Sequence, residues 1–222
     1  MKFFIQFFLC GILTGLVFPP FFLIPIGFIV FPYLFHLAQS KEFIYLNYKY
    51  HFIAGFFYGV GFFSIYLMWI KEPFFLNDLT KIYFIFSYLL IIYCSLFFGI
   101  IFVILKFFNN ILIKFIVFPS IIVSAEWLCA NLSYGFPWFS FSLIHAANFT
   151  GTSIIFYMGT YGLSFFSIVI FLFPAIFVIK DLREKKIILK IYIILFIILT
   201  ACIISRVKTN NNNSVNQVSI SL

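Results

Sequence analysis

A single carboxylate lies inside an apolar run. In "EWLCANLSYGFPWFSF", residues 126–141, Glu126 is followed by Trp127 and then by the turn signal Gly135, Phe136, Pro137, Trp138. A charged side chain at the bilayer centre costs about 2.5 to 3.5 kcal/mol on insertion scales, so a carboxylate kept there points to a polar site or a required hydrogen bond within the bundle. Position offers a simpler reading. At about 1.5 Å rise per residue, Glu126 lies roughly 6 to 8 Å below Asn131 and can snorkel to the interface. The Gly-Phe-Pro-Trp stretch has two readings as well. It is an interfacial turn with Trp127 and Trp138 in the aromatic belt, or a re-entrant loop that guides a lipid substrate at the outer leaflet. Irregular backbone at depth must be covered by protein or water, so the second reading requires a cavity.

The other reactive side chains assemble into nothing comparable. His36, His51 and His145 are isolated along the chain, with no histidine partner one helical turn away, and no metal site is expected. Cys10, Cys94, Cys129 and Cys202 form no CxxC pair and no disulfide framework. Serines and cysteines lack a flanking base, so no nucleophilic triad is expected. Gly11 with Gly15 and Gly55 with Gly59 stand at GxxxG spacing, which lets helices approach closely. Without a strand-turn-helix context these glycines are no dinucleotide fingerprint, and no cofactor is expected.

The elements that must position Glu126 follow from composition. The 222 residues are 64% hydrophobic and 9% charged, with 38 phenylalanines and a mean hydropathy of +1.17. Soluble domains carry about 25% charged residues, so this is an integral membrane protein. Its apolar stretches are long and uniform rather than alternating, which selects helices over barrel strands and gives an all-α, polytopic fold. Seven runs are long enough to be read as spans: 3–18, 21–38, 52–70, 82–105, 111–130, 153–179 and 188–205. Pro19 and Pro20 join the first two as a tight helical hairpin.

Lysine and arginine set the expected orientation, because they are retained on the cytoplasmic side. With the N-terminus inside, the inner segments hold Lys2, Lys41, Lys49, Lys106, Lys114, Lys180, Arg183, Lys185, Lys186 and Lys190, and the outer ones only Lys71, Lys81, Arg206 and Lys208. Seven crossings then place the C-terminus outside, in the periplasm. The net charge of +8 is accounted for by this topology and by anionic headgroups, and no nucleic-acid partner is expected. Residues 1–206 read as a seven-helix membrane domain. The tail "RVKTNNNNSVNQVSISL" reads as a polar linker with a strand over 215–222.

At this point the residues resemble a known family. "SAEWLCANLSYGFPWFSFSL", residues 124–143, is similar to the "EWLR...GFPW" signature of bacterial apolipoprotein N-acyltransferases, and "GTYGLSFF", residues 159–166, to that family's "GVYGLSFL". "AGFFYGVGFFSIYLMWI", residues 54–70, looks like its third span, and "GILTGLVFPPF" like its first hairpin. The resemblance implies a multi-pass enzyme of the bacterial inner membrane in which a nitrilase-like periplasmic domain follows seven membrane helices. It implies transfer of an acyl chain from a phospholipid to the α-amino group of diacylglyceryl-cysteine in an apolipoprotein, through a thioester on a cysteine assisted by a glutamate and a lysine. Those three residues belong to the nitrilase-like domain and have no counterpart here, so this chain alone is expected to be inactive and to need that domain in cis or in trans.

By the same resemblance Glu126, Trp127, Gly135, Phe136, Pro137, Trp138, Tyr161 and Gly162 are lipid-side candidates. Cys129 replaces the family arginine, and "SLIHAANF", residues 142–149, replaces its "GYSQ"-like stretch. The competing functions are a noncatalytic scaffold for a separate soluble partner and a small transporter. The transporter reading lacks internal repeats and midplane polar groups.

Overall fold

A computed structural model of the chain describes residues 2–132, 135, 137–145, 149–183 and 186–220. Uniformly apolar sequence leaves the helix as the backbone's own means of satisfying its polar groups, and the described residues contain helices and no strand. In chain order these are α1 (Lys2–Val17), α2 (Gly27–Gln39), α3 (Lys41–Ile44), α4 (Tyr48–Tyr66), α5 (Ile85–Leu105), α6 (Ile111–Leu132), α7 (Phe149–Leu172), α8 (Ala175–Val178), α9 (Lys180–Arg183) and α10 (Lys186–Ile220). Short 3₁₀ segments at Ile24–Ile26, Met68–Phe75, Lys81–Phe84 and Phe141–Ile144 connect them.

Among the described residues four helical segments are long and apolar enough to cross a membrane: Lys81–Leu105, Ile111–Leu132, Gly151–Val178 and Lys186–Lys208. A fifth arises if Tyr48–Tyr66 and Met68–Phe75, bent by 49°, count as one span. The seven runs of the sequence therefore do not become seven full-length helices. With 16 residues α1 is about 24 Å long, short of a hydrocarbon core of about 30 Å, and α2 has only 13 residues. The second run was expected from residue 21, but the turn through Pro19 and Pro20 runs to Leu23, and the 3₁₀ segment Ile24–Ile26 then leads into α2 at Gly27. The amide of Leu23 donates to the Leu16 carbonyl at 3.0 Å and closes the hairpin.

The tail also differs from its sequence pattern. Helix α10 runs to Ile220, through the Asn run and most of the stretch read as a strand. A lone strand has no ladder to join, whereas a helix satisfies its own backbone.

Helix α4 is the centre of the packing, with α1 on one side and α5 on the other. Gly11 and Gly15 of α1 lie against it, and a methyl at Gly11 would overlap the Tyr58 carbonyl, while one at Gly15 would stand 2.7 Å from Ile65 Cβ. Gly55 faces the Phe98 carbonyl of α5, and a Cβ at Gly59 would stand 2.8 Å from Ser95 Cα. Gly61, which sequence spacing did not single out, faces the Phe8 carbonyl. Such contacts bring backbones within van der Waals range, where dispersion holds helices together in lipid. Phenylalanines fill the spaces the glycines leave, with Phe7, Phe62, Phe98 and Phe102 all fully buried. One polar pair is enclosed among them: the Tyr58 hydroxyl donates to Thr14 Oγ1 at 3.2 Å, and Thr14 donates to the Cys10 carbonyl at 2.8 Å.

Candidate functional site

Helix geometry separates Glu126 from its neighbour. Successive residues on a helix differ by about 100°, so Glu126 turns into the bundle at 2% exposure while Trp127 stays 51% exposed. The helix then ends at a left-handed turn. Gly135 has φ +80° and its amide donates to the Ala130 carbonyl at 2.9 Å. Nothing lies within 4 Å of a Cβ built there, so the backbone angle and not space demands glycine. Pro137 is exposed and Trp138 is half-buried against the core. Phe136, a candidate from the sequence, lies outside the described residues.

Beyond Trp138 the chain turns inward. Phe139 and Phe141 are 1% and 0% exposed. The Phe141 ring stands 5.3 Å from Phe18, 6.0 Å from Phe31 and 6.0 Å from Phe62, so it sits among α1, α2 and α4. Phe139 fills the next space, 5.2 Å from Phe63 and 5.4 Å from Phe98. His145 follows, with its ring 5.9 Å from Phe171 and its Nε2 buried without a hydrogen-bond partner. The segment after the tryptophan is thus packed among helices.

Irregular backbone in such a place needs acceptors for its N–H groups, and Glu126 and the neighbouring serines supply them. Its carboxylate accepts a hydrogen bond from Ser140 Oγ at 2.6 Å and one from the Phe141 amide at 3.1 Å. Ser140 Oγ is also 2.7 Å from Ser142 Oγ and 3.3 Å from Ser164 Oγ. The Ser142 amide donates to Ser164 Oγ at 2.9 Å. One carboxylate and three hydroxyls therefore tie α6, the Phe141–Ile144 turn and α7 together.

The sequence reading missed Ser140, Ser142 and Ser164. Their signal was the alternation in "FSFS", which sends rings to one side and hydroxyls to the other, and the serine inside "GLSFF".

On α7, Gly159 interrupts the helix with φ +71° and ψ −177°. Tyr161 follows the break, 39% exposed and within electrostatic reach of Glu126. Gly162 faces Met158 of its own helix. Where the resembling family has arginine, Cys129 is fully buried with Sγ 3.9 Å from Cys94 Sγ of α5. Among the described residues no three His, Cys, Asp or Glu side chains come close enough to hold a metal.

The arrangement holds a loop in place. Ser164→Ala removes the nearer acceptor of the buried Ser142 amide and leaves it only the long bond to Ser140 Oγ at 3.4 Å, and is expected to destabilise the protein by about 1 kcal/mol. Thermal unfolding in detergent checks this, and Ser164→Thr, which keeps the hydroxyl, is expected to lose less.

A sequence profile of the apolipoprotein N-acyltransferase N-terminal domain matches residues 10–173. No protein of curated function matches the chain.

Proposed function

The chain belongs to the apolipoprotein N-acyltransferase N-terminal domain family, and on that premise we propose that it is the membrane-embedded part of a phospholipid:apolipoprotein N-acyltransferase in the bacterial inner membrane. The observation that carries this reading is the Glu126-held loop, which lies inside the matched region and on the motif that resembles the family's signature. Bound in this way, Glu126 keeps Gly135, Pro137 and Trp138 at the rim of the bundle, beside the place where a phospholipid reaches the active site. Trp127 and Tyr161 flank that place with exposed rings, which suit the boundary between acyl chains and headgroups.

Chemistry is left to a nitrilase-like domain joined in cis or supplied in trans. There a cysteine thiol takes the acyl group from the phospholipid ester and releases a lysophospholipid. The apolipoprotein's α-amine then takes the acyl group from the thioester and frees the thiol. The membrane part contributes donor binding and the orientation of the ester.

The proposed topology has seven crossings with the N-terminus inside, the two short helices α1 and α2 crossing as a hairpin. The lysine distribution supports it. A phosphatase fused after Leu222 is expected to be active and one fused after Lys106 inactive, and the reverse pattern would sink the orientation.

The functional test begins with the coding DNA downstream of the Leu222 codon. A continuing frame that encodes a soluble domain with a glutamate, a lysine and a nucleophilic cysteine supports the reading. The protein expressed from that frame should then acylate a diacylglyceryl-cysteine peptide, scored by the added acyl mass. A stop with no such domain encoded nearby would favour the scaffold instead.

A further inference from the structure

At the end of the bundle away from the Glu126 network, cations outnumber acids. Lys114, in the first turn of α6, is 2% exposed, and its Nζ donates to the Ala38 carbonyl in the last turn of α2 at 3.4 Å. Lys106, just past α5, donates to the Leu46 carbonyl and lies 4.5 Å above the Tyr48 ring. Both ammonium groups act electrostatically on the buried ring of His51. Beside Ala38, Gln39 Nε2 is buried with no hydrogen-bond partner. The ion pair found among the described residues is Lys81–Asp78, in the connection between α4 and α5. Glu42 of α3 and Asp181 of α9 are both exposed, and neither forms such a pair among the described residues.

An ammonium carries three donors, and a desolvated one with a single long hydrogen bond is costly unless an anion faces it. Next to these cations is an open cleft of about 440 Å³ whose walls are Tyr48, Phe52, Ile53 and Val103, with Lys49 on its edge. The combination has the two halves of a lipid: apolar walls for a chain and cations for a phosphate.

We propose that this end of the protein binds an anionic phospholipid, with its phosphate between Lys49 and Lys106 and one acyl chain along Phe52, Ile53 and Val103. Lys114, which with Lys106 acts on His51 of α4, the helix that carries Lys49, adds to the positive field there. Twelve residues separate Lys114 from Glu126 on α6, roughly 18 Å along the helix. None of the cleft's lining residues belongs to the Glu126 network, so the site is distinct from the place where the acyl donor is proposed to react, and the inference does not rest on acyl transfer.

The test uses the full chain purified in a neutral detergent, with thermal unfolding followed in three additions. Phosphatidylglycerol is expected to raise Tm by about 5 °C, and phosphatidylcholine and inorganic phosphate by much less. Native mass spectrometry should show one phosphatidylglycerol retained. Lys49→Gln and Lys106→Gln are each expected to cut the Tm shift by half or more. Lys49 is exposed, so its variant tests the site even if the Lys106 variant folds poorly.

Equal shifts from phosphatidylcholine would show that the cleft binds chains without reading charge, and would overturn the proposal. A full shift from inorganic phosphate alone would assign the cations to a free anion and overturn the lipid. No shift from phosphatidylglycerol, or an undiminished one in Lys49→Gln, would also overturn it.

Discussion

Glu126→Ala, in the complete enzyme, is expected to lower acyl transfer about 10- to 100-fold and to destabilise the membrane part. Two donors lose their acceptor together: the Ser140 hydroxyl at 2.6 Å and the Phe141 amide at 3.1 Å. Each buried group left unsatisfied costs about 1 to 3 kcal/mol, and about 1.4 kcal/mol is a factor of ten in rate if the loop positions the donor lipid. Ser140 can turn to Ser142 or Ser164, but the Phe141 amide has no such freedom. Glu126→Gln keeps one oxygen and adds an amide that needs a partner of its own, so it should fall between wild type and alanine. Thermal unfolding and acyl-transfer rate, measured on the same preparations, decide the matter. If Glu126→Gln leaves both unchanged, Glu126 does not hold the loop in the way proposed.

Gly11→Leu is expected to have the largest effect on folding, with little monodisperse protein recovered. Its side chain would start where the Tyr58 carbonyl and the Phe62 amide now lie, and backbone cannot move aside as a flexible side chain can. Overpacking costs about 1 to 3 kcal/mol even where side chains can adjust. Gly11→Ala already forces α1 and α4 apart and should lower Tm by more than Gly135→Ala. The Gly135 variant meets no atom within 4 Å and suffers only from its φ of +80°, a penalty of about 1 to 2 kcal/mol. The contrast separates close approach from backbone angle. If Gly135→Ala proved the more damaging, the α1–α4 contact would be looser than the structure has it.

The two glycine classes also show how far a sequence can be read. GxxxG spacing marked Gly11, Gly15, Gly55 and Gly59 as surfaces for neighbouring helices, but it could not say which helix each one meets. Gly61 has no such spacing with them, yet a Cβ there would overlap the Phe8 carbonyl nearly as closely as one at Gly11 would overlap that of Tyr58. Phenylalanine is so abundant that the helices are apolar on every side. Amphipathic periodicity, the usual guide to an inward face, is then absent.

Composition by itself determined that the chain is an α-helical membrane protein, because 9% charged residues cannot clothe a soluble surface and uniform apolar runs leave the helix as the self-satisfied backbone form. The ordered set of Glu-Trp-Leu, Gly-Phe-Pro-Trp and Tyr-Gly-Leu-Ser-Phe determined the family resemblance, and the profile match over residues 10–173 agrees with it. What only the tertiary structure decided is the role of the pieces. The lengths of α1 and α2, the inward turn after Trp138, and the pairing of Glu126 with Ser140, of Ser142 with Ser164 and of Phe141 with Phe18 all depend on contacts between residues far apart in the chain. Local sequence carries the need of a buried amide or carboxylate for a partner, but the partner is supplied by whichever helix the packing brings alongside.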